Sequence, residues 1–205
     1  MADSKSVKTP RFRVSFPRVF EPQDVKKDDG SIKKEFSIVA LFPKGTDLSA
    51  LKAEANRVAK EKWGDKIPKN LASPFRDQGE KEYEGYEAGA IFIRAKSTVK
   101  PGVVGQEVVN GKFAAIDSSE FYPGCYAWMS VNAYAYGGPG TKFNPGVAFG
   151  LRNIQKLEDG DPLGNRSRAE DDFAAPDGGA GEDIFGGEDS APGKKGANLD
   201  DDIPF

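Results

Sequence analysis

Histidine is absent from this 205-residue chain, and cysteine occurs once, at Cys125. A zinc site of Cys and His is therefore excluded, as is any catalytic triad that needs an imidazole base. One thiol cannot close an intrachain disulfide. Long apolar runs are also missing. The segment Met1-Ala2-Asp3-Ser4-Lys5-Ser6 has no apolar core of the signal-peptide kind, and no stretch is long enough to span a bilayer. A soluble, intracellular protein without a membrane partner is expected. Phosphate-loop chemistry is missing too. Gly137-Gly138-Pro139-Gly140-Thr141-Lys142 lacks the Gly-Lys-Ser/Thr order and no helix follows, so it reads as a hairpin turn. The acidic pairs Asp28-Asp29 and Asp171-Asp172 fall in a turn and in a low-complexity segment, neither of them a rigid cradle for metal ions. No cofactor, no metal and no catalytic residue is expected.

What the chain does have is charge, unevenly divided. Residues 1–157 hold 25 Lys and Arg against 18 Asp and Glu, a net +7; residues 158–205 hold 4 against 14, a net −10. A basic body suits a polyanion, and an acidic segment suits basic proteins or the body itself. After Glu158 the chain is rich in Gly, Asp, Ala and Pro without periodicity, which reads as a disordered acidic tail over 158–205.

The body is patterned mainly as strands. Residues 11–20 alternate, with Phe12, Val14 and Phe16 on one side, Arg11, Arg13 and Ser15 on the other, and an interruption at Pro17. A second strand through residues 36–42 completes a long hairpin around Asp28-Asp29-Gly30. Leu48, Leu51, Ala55, Val58 and Ala59 keep helical spacing and predict one helix over 47–63. Residues 65–89 read as loop, 90–98 as a strand, and 103–116 as a hairpin turning at Asn110-Gly111. Long strands are expected at 126–136 and 147–157. Several strands, one inserted helix and Gly-rich corners fit a mainly β domain over 1–157. An OB-fold-like closed barrel of about five strands is the leading architecture and a β-sandwich the competing one, since periodicity does not separate them.

The strand at 126–136 is the most informative segment. Cys125, Ala127, Met129, Val131, Ala133 and Ala135 point one way and suit a tapering interior. Tyr126, Trp128, Ser130, Asn132, Tyr134 and Tyr136 point the other way, and rings interleaved with hydrogen-bonding groups are what unpaired bases stack on. The competing use of such rings is to cover a second core. Phe92, Arg94 and Lys96 share one face of their strand, and Arg11 and Arg13 share one of theirs. Lys100, Lys142 and Arg152 lie near turns and the last strand. Such cations neutralise phosphates and release counterions without reading sequence. The loop residues Arg76, Lys81, Tyr83 and Tyr86 are further candidates, opposed by Glu80, Glu82, Glu84 and Glu87.

Two stretches carry a family resemblance. Residues 128–136, Trp-Met-Ser-Val-Asn-Ala-Tyr-Ala-Tyr, and residues 146–156, Gly-Val-Ala-Phe-Gly-Leu-Arg-Asn-Ile-Gln-Lys, resemble the C-terminal half of a phage single-stranded DNA-binding protein family. Asp200, Asp201, Asp202, Ile203, Pro204 and Phe205 resemble the acidic tip of bacterial single-stranded DNA-binding proteins. The resemblance implies an OB-fold that binds single-stranded DNA without sequence preference and protects it during replication, recombination and repair in the cytoplasm of a bacterial host. It implies a tip that docks replication and repair enzymes rather than DNA. An apolar pocket for Phe205 and a basic surface for the aspartates would suit such docking. The body departs from the bacterial tetrameric protein, which favours a monomer or dimer over a tetramer. Two other readings use the same features: a protein-interaction module competing for host enzymes that bind such tips, and an OB protein binding single-stranded RNA.

Overall fold

Cys125, Ala127, Met129, Val131 and Ala133 are all buried, so the alternation read over residues 125–136 is what fills the interior. The computed structural model describes residues 5–26, 30–138, 140–141 and 143–164. Its elements in chain order are β1 (Val7–Lys8), β2 (Phe12–Lys26), β3 (Ile32–Phe42), α1 (Ser49–Trp63), β4 (Arg76–Asp77), β5 (Ile91–Ser97), β6 (Gly102–Val109), β7 (Lys112–Ala115), β8 (Tyr126–Tyr136) and β9 (Gly146–Glu158). The expected segment at 158–205 lies outside the described residues from residue 165 onward, as do Lys142 and the six residues Asp200 to Phe205.

Five strands close into a barrel in the order β2, β3, β5, β9, β8 and back to β2. Within the barrel the pairings are antiparallel except β5–β9, where Ala95 faces Phe149 and Lys96 faces Gly150 in parallel register. This is the OB-fold-like barrel, and the sandwich alternative is set aside by its closure. α1 is inserted between the second and third barrel strands, and β5 then adds antiparallel to β3, with Ile91 opposite Phe42. The hairpin β6–β7 hangs on the far half of β9 through Val103 and Ile154. Its turn is the expected one: Asn110 and Gly111 both take positive φ, as a two-residue hairpin turn matching strand twist requires.

The core is formed by Phe12, Val14 and Val19 of β2, Ile38, Ala40 and Phe42 of β3, Ile93 and Ala95 of β5, the inner face of β8, and Val147, Phe149, Leu151 and Ile154 of β9. Leu51, Ala55, Val58 and Ala59 of α1 pack onto it from the side. Burying each such aliphatic or aromatic side chain contributes roughly 1.5–3 kcal/mol before entropy is charged against it. Glu54 is buried on the helix beside this face. Bidentate bonds from Arg57 of 2.7 and 2.9 Å hold its carboxylate below the usual range.

One expectation fails locally. Phe16 does not join Phe12 and Val14 in the core. It takes a φ of 45°, and the pairing slips between Ser15 and Arg18, so β2 carries one extra residue there. Pro17 has no N–H to give to the ladder, and a bulge absorbs the defect without ending the strand. The strand therefore continues to Lys26, Phe16 swings out to solvent, and Ser15 becomes buried instead.

Cys125 is a natural reporter of this core. Burial pushes its thiol up to about 11, so neither access nor ionisation favours reaction. A disulfide reagent at pH 8 should leave it unmodified in the folded chain. Upon denaturation one thiol per chain should react, with a midpoint coincident with loss of secondary structure. Rapid stoichiometric labelling without denaturant would contradict this packing.

Candidate nucleic-acid interface

The outer faces of β3 and β5 meet in register. Ser37, Val39 and Leu41 lie opposite Lys96, Arg94 and Phe92. Alternation sends the partners of each into the barrel, so these six side chains form one outward floor. Over it runs a groove of about 540 Å³. One wall is Phe16, Arg18 and Gln23 of β2 with Lys81, Tyr83 and Tyr86 of the loop before β5. The other is Ser73, Pro74 and the Val147–Phe149 stretch of β9.

Rings line this groove in a continuous series. Phe16 meets Tyr83 at 5.3 Å between centroids, Tyr83 meets Tyr86 at 5.4 Å, and Tyr86 meets Phe92 at 5.9 Å. The contacts are edge-to-face or tilted, which leaves ring faces available; Phe16 and Tyr83 are each about half exposed. Tyr86 is anchored deeper, with its hydroxyl 3.4 Å from Ser15 Oγ, and burial raises its phenol above the usual value.

The loop bearing Tyr83 and Tyr86 is held by buried polar side chains. Gln78 donates to Phe42 O at 3.0 Å and to Ile91 O at 2.9 Å and accepts from Glu87 N at 3.0 Å. Asp77 accepts from Gly79 N and Gly89 N, and these bonds hold its carboxyl below the ordinary range. A stretch that reads as loop from its Pro and Gly is thus tied to β3 and β5 at both ends.

Arg18, Arg76, Lys81, Arg94 and Lys96 bring positive charge to the groove. Arg76 is paired with Glu80, with its guanidinium 5.5 Å from the Phe92 ring centre, and Lys96 is paired with the buried Glu35 at 2.8 Å. Among the described residues Arg18, Lys81 and Arg94 have no ion pair; Arg94 touches only Ser37 Oγ, at 3.4 Å. Exposed rings beside uncompensated cations suit a chain of unpaired bases and phosphates.

The polar face of β8 is divided by barrel curvature. At one end Asn132 and Tyr134 join Lys33, Glu35 and Lys96 around a smaller hollow of about 250 Å³, so they adjoin the groove through Lys96. Tyr136 lies 6.4 Å from Tyr134 between ring centres, and burial, then Glu35 and Tyr136, raise the Tyr134 phenol. At the other end Trp128 lies under Lys8 Nζ at 3.2 Å, and Tyr126 lies under the Arg11 guanidinium at 3.7 Å. Neither ring lines the groove. Arg11 is also paired with Glu158, and Arg13 donates to Asp161 O. Lys100 and Arg152 are exposed, Arg152 at a slip in the β8–β9 pairing, and Lys142 lies outside the described residues.

The groove thus takes Phe92, Arg94 and Lys96 from the expected set, borders on Asn132, Tyr134 and Tyr136, and adds Phe16, Arg18 and Gln23, which the sequence reading missed. Pro17 was the available signal. A proline inside an alternating strand marks a bulge, and a bulge turns its neighbour outward.

A family model described as "Enterobacter phage Enc34, ssDNA-binding protein" matches residues 5–185. The single-stranded DNA-binding protein from bacteriophage Enc34 has a similar solved structure, with a TM-score of 0.59 at 19% identity over 83% of this chain and 90% of that one. The same protein in complex with ssDNA gives 0.60 at 20% identity, over 79% and 91%. Gp2.5, a single-stranded DNA-binding protein encoded by bacteriophage T7, gives 0.54 at 14% identity, over 86% and 97%. These likenesses concern the fold. No curated protein matches the sequence.

Gln78 sets the loop. Gln78→Ala would leave Phe42 O, Ile91 O and Glu87 N short of a partner, at a cost of about 1–3 kcal/mol for a buried group left unmade. Amide exchange at Gly79 to Glu87 should accelerate while exchange in β8 and β9 stays slow. Equal protection in the loop before and after substitution would contradict its role.

Proposed function

We propose that this chain, which belongs to the family of the Enterobacter phage Enc34 ssDNA-binding protein, holds single-stranded DNA in the groove over β3 and β5. The observation that carries this reading is the ring series Phe16, Tyr83, Tyr86 and Phe92 beside Arg18, Lys81 and Arg94, which have no ion pair among the described residues. Bases stack on the exposed rings, and the cations take phosphates. Nothing in that pairing reads a base edge, so binding is sequence-tolerant. The strand continues past Lys96 to Asn132, Tyr134 and Tyr136. Trp128 and Tyr126 stay outside this path, since their faces are already covered by Lys8 and Arg11. The protein binds and does not catalyse.

The wider role follows from coating DNA. A sequence-tolerant binder protects unwound strands in phage replication, recombination and repair within the host cytoplasm. The acidic segment, with Asp200 to Phe205 at its tip, recruits replication and repair enzymes, and its charge competes with DNA for the basic body. A monomer or dimer suffices for one groove per chain.

The test is a titration of labelled oligo-dT by fluorescence anisotropy across a salt series. Affinity should fall steeply with salt, and Arg94→Ala should lessen the log–log slope by about 0.7, the value of one phosphate contact to a single strand. Tyr83→Ala should cost roughly 1–3 kcal/mol with the slope unchanged. Salt-insensitive or absent binding would sink the reading. An RNA oligomer that competes as well as DNA would make the cargo single strands of either kind.

The tail carries its own expectation. A chain ending at Gly164 should bind oligo-dT more tightly than the full chain at low salt, and the difference should vanish at high salt. Equal affinity at every salt would remove the competition between acidic segment and DNA.

A further inference from the structure

The described chain does not leave the barrel where β9 ends. Residues 159–164 continue as a strap across the outside of β2 toward the groove loop. Each step is tied down. Tyr122 donates to Asp159 Oδ1 at 2.8 Å, and Gly160 N donates back to the Tyr122 hydroxyl at 3.3 Å. Arg13 donates to Asp161 O at 2.8 Å. Leu163 N donates to Pro123 O at 2.9 Å, and Gly164 N donates to Glu84 at 3.1 Å.

The seat is shaped for this segment. Gly124 has φ of 112°, and a Cβ there would stand 2.1 Å from Asp161 O, against backbone that cannot rotate away. A Cβ at Gly85 would stand 2.2 Å from Leu163 Cδ2. Two glycines on different segments therefore admit the strap at van der Waals contact. Arg13 reinforces the seat through the bond from its Nη2 to Asp161 O.

What the strap delivers is Leu163. Its side chain packs against Val39, Leu41 and Phe92, a small apolar cluster separate from the barrel core, against which Tyr86 also packs. Phe92 and Tyr86 are the inner half of the groove's ring series, and Glu84 and Gly85 lie between Tyr83 and Tyr86. Leu163 thus wedges under the same loop whose other side faces the groove.

We infer that residues 159–164 are a positioning part of the binding groove, with Leu163 and Arg13 holding Tyr86, and through it Tyr83, where bases stack. This rests on the reading of the groove as a single-stranded DNA site. It assigns Arg13 to the strap rather than to phosphate.

The experiment uses the full chain and oligo-dT across a salt series, with Leu163→Ala, Leu163→Met and Arg13→Met. Leu163→Ala should weaken binding about 3- to 10-fold at every salt, with the log–log slope and the fraction of active protein unchanged. Leu163→Met, which refills the wedge, should return affinity to within about twofold. Arg13→Met should also weaken binding without altering the slope. Leu163→Ala binding within twofold of the unaltered chain would overturn the inference, as would a Leu163→Met loss as large. An Arg13→Met slope lower by about 0.7 would make Arg13 a phosphate contact and overturn its assignment. If the unaltered chain fails to bind oligo-dT, the single-stranded DNA reading falls first and the inference with it, a result distinct from a binding chain indifferent to Leu163.

Discussion

A sheet closed on itself has no spare edge among its barrel strands, and here that closure depends on β9. One strand pairs in parallel with β5 and antiparallel with β8, so Ala95 and Ala133 both face Phe149 across it. The long alternation of β9 makes this possible: Val147, Phe149 and Leu151 fill the interior while the backbone serves two partners. Without it, β2, β3 and β5 would form an open sheet with an unprotected edge, and α1 would have no core to cover. The groove depends on the same closure, because its far wall is the outer side of Val147–Phe149.

Closure also decides which outward faces share an environment. In a small barrel neighbouring strands turn steadily about the axis, so residues that point outward from β5 and from β8 look in different directions. The outer face of β5 meets that of β3, one strand away. The outer face of β8 meets it only where β8 curves round to Lys96, at Asn132 and Tyr134. Further down, the rings of Trp128 and Tyr126 lie on another side, each against a cation from β1 or the stretch beside β2. A cation over an exposed ring contributes on the order of 0.5–1 kcal/mol.

The groove itself is built from departures from regularity. The bulge at Phe16-Pro17 puts an aromatic ring where alternation would have put it in the core. The loop at 78–89 is tied down because Gln78 and Asp77 satisfy its backbone groups and those of its neighbours. The strap adds Leu163 beneath. Three segments distant in sequence thereby place Phe16, Tyr83, Tyr86 and Phe92 in contact. Rings held this way lose little freedom on stacking with a ligand, which favours affinity.

The division between inner and outer side chains on β5 and β8, the existence of the strands β3 and β9, the position of the helix and of the Asn110-Gly111 turn, and the split of +7 and −10 between body and acidic segment were determined by the sequence alone. Strand alternation, helical spacing, turn chemistry and net charge are local properties, readable a few residues at a time. Family membership was also legible, in the segments at 128–136 and 146–156. The assembly of the site was decided only in three dimensions. Whether Arg94 stands beside Tyr83 or beside Trp128, whether Arg13 faces phosphate or Asp161, and whether Phe16 is core or rim depend on barrel curvature, on one bulge and on a strap returning from residue 159. These are long-range consequences of closure, and no local pattern encodes which outer faces a closed barrel will bring together.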